Sequence, residues 1–212
     1  MPDEDADLRS RLVAVGVHLV ATEGMPALTL REIARRAGVS HGAPRRYFPT
    51  HLALLSAIAR EGFADLADRV ADTLRTGGTH PRDRLMALGR AYLAFASSRR
   101  GMFELMFRHD LLESNSLGLR ETSLPLFTVL VDLVAAARPP SEVPPPVVAG
   151  ALWANLHGIA LLWGWGSLPL ATGAGEVDAL LRAALDAHLG TDPRPGTDPR
   201  PGTDPRVTAV AR

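Results

Sequence analysis

The chain has 212 residues, 46% of them hydrophobic, which suits one or two globular domains with a sizeable core. Its 23 basic residues, all arginine, balance 23 acidic ones, so attraction to a polyanion has to come from local rather than net charge. Cysteine is absent, which excludes a disulfide framework, thiolate metal sites and a cysteine nucleophile.

The opening MPDEDADLRS is acidic and has no apolar run, so a secretory signal is not expected and a cytoplasmic location is. A first helix is predicted from Asp7 to Glu23, with Leu8, Leu12, Val15 and Leu19 on one face and Gly24 as its stop. Leu28 to His51 then reads as two short helices joined by a tight turn. Thr29 and Glu32 form a Thr-x-x-Glu capping box, and Leu30, Ile33, Ala34 and Ala37 share an apolar face. Gly38 ends that helix, Ser40 caps a second from His41 to about Phe48, and Pro49 stops it. This segment holds five arginines (31, 35, 36, 45 and 46) against one acid, Glu32. A basic helix-turn-helix that meets DNA is the simplest physical reading. Arg35 and Arg36 fit either a phosphate-facing surface or a solvated helix face.

Beyond Thr50, apolar residues at helical spacing from Leu52 to Leu74 predict a long lever-like helix that ends at Gly77-Gly78. Pro81 fits the first turn of the next helix, with Leu85, Leu88, Tyr92 and Phe95 on its apolar face. Gly101 is expected to break that pattern before the short apolar run MFELMF. A helix over 117–137 follows, in which Pro125 either makes a kink or marks the true start. Val143 to Gly175 carries no charge, and 147–171 is long enough to cross a bilayer. Asn155 and His157 near its middle, four glycines and Pro169 argue instead for a helix buried by the core and a partner subunit, with no membrane. A last helix is predicted over 176–189, and the GTDPRP repeats from Gly190 to Arg206 read as an extended or disordered tail. No strand pattern is evident. The expectation is an all-α chain divided at 1–50, 51–189 and 190–212.

There is no His-Glu-x-x-His and no Gly-x-Gly-x-x-Gly, and His109-Asp110 is an isolated pair. Catalysis, a cofactor and a metal are therefore not expected.

The run from Leu12 to Leu55 resembles the N-terminal domain of the TetR family of bacterial transcriptional regulators. The matching residues are Glu23-Gly24, Thr29-Leu30, Ile33-Ala34, Ala37-Gly38-Val39-Ser40, Gly42, Tyr47-Phe48 and Leu55. Leu152 to Trp163 resembles the WHG-type ligand domain through Trp153, His157 and Gly158. The resemblance implies a homodimer that places two recognition helices in successive major grooves of a palindromic operator, about 34–36 Å apart or a multiple of it. It would act as a repressor released by a small, largely apolar effector. Arg45 is then the main base reader, since a guanidinium can bond guanine O6 and N7 together, with His41 second. Thr29, Ser40, Arg46, Tyr47 and His51 are placed as phosphate contacts, with Gly42 among them in the interface. Two positions depart from the family's habit: His51 stands where many members carry Lys, and Pro44 lies inside the recognition helix.

The same resemblance assigns Phe103, Met106, Phe107, Trp153 and His157 to an effector pocket. Trp153 and His157, four residues apart, share a helix face and fit either that pocket or an ordinary core. The last two helices are the expected dimer interface, with Gly150, Ala151 and Ala154 allowing close approach and Leu180, Leu181 and Leu185 adding apolar area. The rival readings are a membrane-anchored helix-turn-helix regulator and a ligandless helical interaction protein.

Overall fold

The computed structural model describes residues 2–115, 117–138 and 142–191, with side chains from residue 7 onward. Most of the Gly190–Arg206 repeat lies outside the described residues. Eleven α-helices and no strand are present among those described, which is the all-α class that the periodicity implied. The first helix, α1 (Pro2–Thr22), buries Leu12, Val13, Leu19 and Val20, and a 3-10 turn, Met25–Ala27, leads to α2 (Leu30–Arg36). Gly38 has φ 69, the left-handed conformation that lets the chain leave α2.

The second half of the head differs from the sequence expectation. Helix α3 spans only Pro44–Tyr47, has Ala43 at its N-cap and receives no side-chain cap from Ser40. Pro44 has no N–H to give the Ser40 carbonyl, so that carbonyl accepts from Ala43 N–H in a tighter turn, at 3.0 Å. The segment from His41 to Ala43 is therefore a turn, and Pro44 is buried in the first turn of a shortened helix.

Helix α4 (His51–Thr76) is the long element the spacing required, and Thr50 Oγ1 caps it by accepting from Ala53 N–H at 3.0 Å. Ile58, Leu54 and Phe48 close the small core that α1, α2 and α3 form on its N-terminal half. Helix α5 (Pro81–Ser98) packs along α4, and α6 (Arg100–Met106) crosses both α1 and α4. The break between α5 and α6 falls at Arg99 (φ −126, ψ 40) rather than at Gly101, which lies inside α6. Gly101 is there because α6 meets α1 backbone to backbone: a Cβ would overlap the Val20 carbonyl oxygen.

Helix α7 (His109–Ser114) is a single short turn region, α8 (Leu119–Ala137) carries Pro125 within it, and α9 (Pro145–Gly164) is the uncharged helix. By length and composition α9 could cross a membrane. In this fold it buries Val148, Ala149, Leu152, Leu156 and Ile159 against α5, α8 and the last helix, α11 (Val177–Leu189), after the short α10 (Ser167–Thr172). Leu181 and Leu185 of α11 are fully buried within the protomer, where Leu181 fills the space over Gly89 of α5. They are core residues and cannot supply a dimer contact.

Candidate functional site

Two surfaces carry chemistry. The first is the head. Glu32 N–H donates to Thr29 Oγ1 at 3.1 Å, which is half of the capping box. The reciprocal half is absent, because the Glu32 carboxylate is held by Arg35 Nε at 2.8 Å and by Arg36 Nε at 2.8 Å, and Thr29 N–H donates to Ala27 O instead. Arg36 also reaches Glu23 at 2.7 Å and so ties α2 to the end of α1. The adjacent guanidinium groups hold the Glu32 carboxyl down to about 2, with Arg35 the larger cause. Arg35 and Arg36 therefore have their charge met within the protein.

The exposed cations lie elsewhere. Arg31, Arg45 and Arg46 are exposed, and none of them forms an ion pair among the described residues. Arg46 lies over the Tyr47 ring, 6.0 Å from its centroid, while Phe48 is fully buried under Arg9. Ser40, His41 and Gly42 are exposed on the turn beside Arg45, and Thr29 is exposed at the start of α2. His51 Nε2 lies 2.5 Å from the Leu28 carbonyl oxygen, which can only accept. Nε2 therefore carries a proton and donates it inward, and Nδ1 can donate to an outside oxygen only when the ring is protonated.

The second surface is a cavity of about 770 Å³ between α4, α5, α8 and α9. Its walls include Phe63, Leu66 and Val70 of α4, Leu88 and Tyr92 of α5, Phe107, and Leu124, Phe127 and Leu130 of α8. Helix α9 contributes Gly150, Trp153, Ala154, Leu156 and His157, so Trp153 and His157 face a cavity as well as the core. Trp153 is 39% and Leu124 58% exposed, which places the mouth between α8 and α9. Phe103 and Met106 do not line it. Phe103 lies behind the wall, stacked on His157 with centroids 5.1 Å apart and edge-on to Phe107 at 4.9 Å. Met106 is fully buried where α6 meets Gly62 of α4. Both turn inward because α6 is wedged between α1, α4 and α5, leaving only Phe107 at its end to reach the open space.

Three of the cavity's polar side chains form one chain. Trp153 Nε1–H donates to Tyr92 Oη at 3.2 Å, and Tyr92 Oη lies 2.9 Å from His157 Nδ1. Burial pushes the Tyr92 phenol up and the His157 imidazolium down, so both are neutral near pH 7. Sequence reading placed Tyr92 on the apolar face of α5 but did not join it to His157, 65 residues away; a lone hydroxyl on an otherwise apolar helix face was the available signal. A wider groove of about 1090 Å³ between α1, α4 and the α5–α6 junction has Arg9, Arg60, Arg99, Arg100, Glu61 and Asp65 in its walls, which suits no apolar guest.

Comparison with known proteins agrees with this arrangement. Residues 12–58 match the family described as bacterial regulatory proteins, tetR family, and residues 85–188 match the tetracyclin repressor-like C-terminal domain. The chain belongs to the TetR family of bacterial regulators. Trp153, His157 and Gly158 lie inside the second match. The HTH-type transcriptional regulator BetI of Rhizobium meliloti (strain 1021) is 35% identical over 82 residues, which are 39% of this chain and 40% of that protein. The chain thus matches well under half the length of that curated relative. A solved protein of unknown function from Rhodococcus sp. RHA1 is 31% identical, with a TM-score of 0.72 over 85% of this chain and 93% of that one. The multidrug binding protein EbrR, solved complexed with imidazole, is 25% identical, with a TM-score of 0.58 over 89% and 97% of the two chains.

Proposed function

We propose that this chain is a cytoplasmic, DNA-binding repressor that acts as a homodimer on a palindromic operator and is released by a small effector held in the cavity of about 770 Å³. The observation that carries the DNA-binding half is the contrast within the head. Arg35 and Arg36 are neutralised by Glu32 and Glu23, whereas Arg45 and Arg46 of α3 present unneutralised charge near His41 and Gly42. Arg45 reads a base; Arg46, Thr29, Ser40, Tyr47 and the protonated form of His51 hold phosphates and fix register. The proposed division is 1–50 for the head and 51–189 for effector binding and dimerisation.

Coupling between the two is supported by elements that serve both. Leu66 and Val70 line the cavity on the same helix whose N-terminal half packs under α1. Phe107 lines it at the end of α6, whose Gly101 rests on the Val20 carbonyl of α1. A ligand acts by favouring a head spacing that does not fit the operator; equal affinity for both spacings would shift nothing.

Selection of bound fragments from a random DNA pool tests the reading, with a palindrome as the expected product. On that sequence, Arg45→Ala is expected to relax preference at one position of each half-site, at about 1–3 kcal/mol of discrimination. Arg46→Ala is expected to weaken all sequences alike and flatten the salt dependence. Unchanged affinity and salt slope in both variants would refute the assignment.

A further inference from the structure

The cavity's hydrogen-bond inventory defines the chemical class of its guest, an inference that rests on the effector-binding reading above. Indole Nε1–H of Trp153 can only donate, and it is spent on Tyr92 Oη at 3.2 Å. Tyr92 is 7% exposed, so its own proton needs a partner inside the protein. His157 Nδ1, at 2.9 Å, is the acceptor in reach. With the Tyr92 proton bound there, the neutral His157 ring carries its other proton on Nε2. The Ser123 hydroxyl is already turned to the Arg120 carbonyl. No Asp, Glu or Arg side chain is among the residues that line the space; the remaining surface is Phe, Leu, Val, Trp, Ala and Gly. The His157 ring is fixed by Phe103 stacked on one side and by Phe107 edge-on at 4.8 Å, so its aim is set before a ligand arrives.

We infer that the cavity selects a neutral, largely apolar or aromatic molecule with one hydrogen-bond acceptor, such as an ester or ketone oxygen, which takes the His157 Nε2–H. An ammonium ligand meets a donor and no carboxylate. A carboxylate ligand has to enter without a cation to balance it. A plain hydrocarbon fits but leaves the N–H unanswered.

Four probes on one skeleton separate these cases by calorimetry on the full chain without DNA: methyl 2-naphthoate, 2-naphthoate, 2-(aminomethyl)naphthalene and 2-ethylnaphthalene. The ester is expected to bind about tenfold more tightly than the hydrocarbon, the worth of one net hydrogen bond, and more tightly still than either ion. In His157→Phe, checked for folding by its melting curve, the ester's advantage over the hydrocarbon should vanish while both still bind. The comparison on the unmodified protein stands even if that variant does not fold. Tightest binding by the ammonium or the carboxylate, equal binding of ester and hydrocarbon, or no binding by any probe overturns the inference. Binding of an ion preserves an effector site of another class, and failure to retain any DNA in the selection above refutes the regulator reading without touching the probe ranking.

Discussion

At the scale of single residues, Glu32 decides how much charge the head presents. Its backbone N–H completes the Thr29 cap, and its carboxylate neutralises Arg35 and Arg36. These functions are separable. Glu32→Gln keeps the backbone cap and a side chain of the same size but leaves Arg35 without a carboxylate partner and Arg36 with Glu23 alone. The expected outcome is tighter binding to DNA of any sequence with a steeper salt slope, read by titration at several salt concentrations. The melting temperature should move little, since the pairs are solvent-exposed. His157 gives the residue scale its pH signature. Burial lowers its affinity for a proton below the ordinary value of 6.5. Below that value the unfolded chain takes up a proton that the folded one refuses. His157's contribution to stability is therefore complete above about 6.5 and lost as pH falls toward its lower folded value. Melting curves between pH 7.5 and 5 should show this fall, and His157→Phe should reduce its slope.

At the scale of elements, legibility in the sequence followed length. The 26 residues of α4 repeat their apolar pattern over many turns and ran close to their predicted bounds, and the uncharged α9 was legible as one long apolar run. α7 and α10, of six residues each, are too short to show a period, and only tertiary packing defines them. At α3 the local signal was read correctly as unusual, but the consequence of Pro44 for the Ser40 carbonyl depends on where the turn runs. The cavity was half legible. Trp153, His157 and Phe107 line it, whereas Tyr92, Leu66 and Phe127 come from helices whose apolar faces look like any core stripe until they are packed.

The α6 crossing offers a direct test of element packing. A Cβ at Gly101 would overlap a backbone carbonyl, which cannot turn aside; a Cβ at Gly62 would meet Met106 Sδ at 2.6 Å and Met102 Cγ at 2.7 Å, both parts of flexible side chains. Gly101→Ala should therefore cost about 1–3 kcal/mol of stability by forcing the helices apart, and Gly62→Ala distinctly less. Denaturant melts of the two variants compare them. The reverse order would mean that α6 does not bear on α1 as the fold places it.

At the scale of the whole molecule, the unmet surface is the outer face of α9 and α11. Burial of Leu181 and Leu185 within the protomer removes them from any subunit contact, and Gly150 and Ala154 border the cavity. What α9 turns outward is Val147 at 59% exposure, Ala151 and Leu162 at 39%, at helical spacing. α11 adds Ala179, Ala183 and Ala187, also exposed and four residues apart, and Asn155 with His188 at 3.5 Å joins the two helices between these rows. Rows of small side chains let helices approach closely, and two copies related by a two-fold axis would set each row against its own image. In that arrangement a charge introduced at Ala151 meets the same charge on the partner. Ala151 contributes nothing to the protomer core, so Ala151→Arg should fold, keep its melting cooperativity and still bind the neutral probe. It should sediment as a monomer and lose operator affinity, because one head makes only half of the contacts and the loss of the tether removes the gain in effective concentration. A dimeric Ala151→Arg with full operator affinity would place the subunit contact on another face.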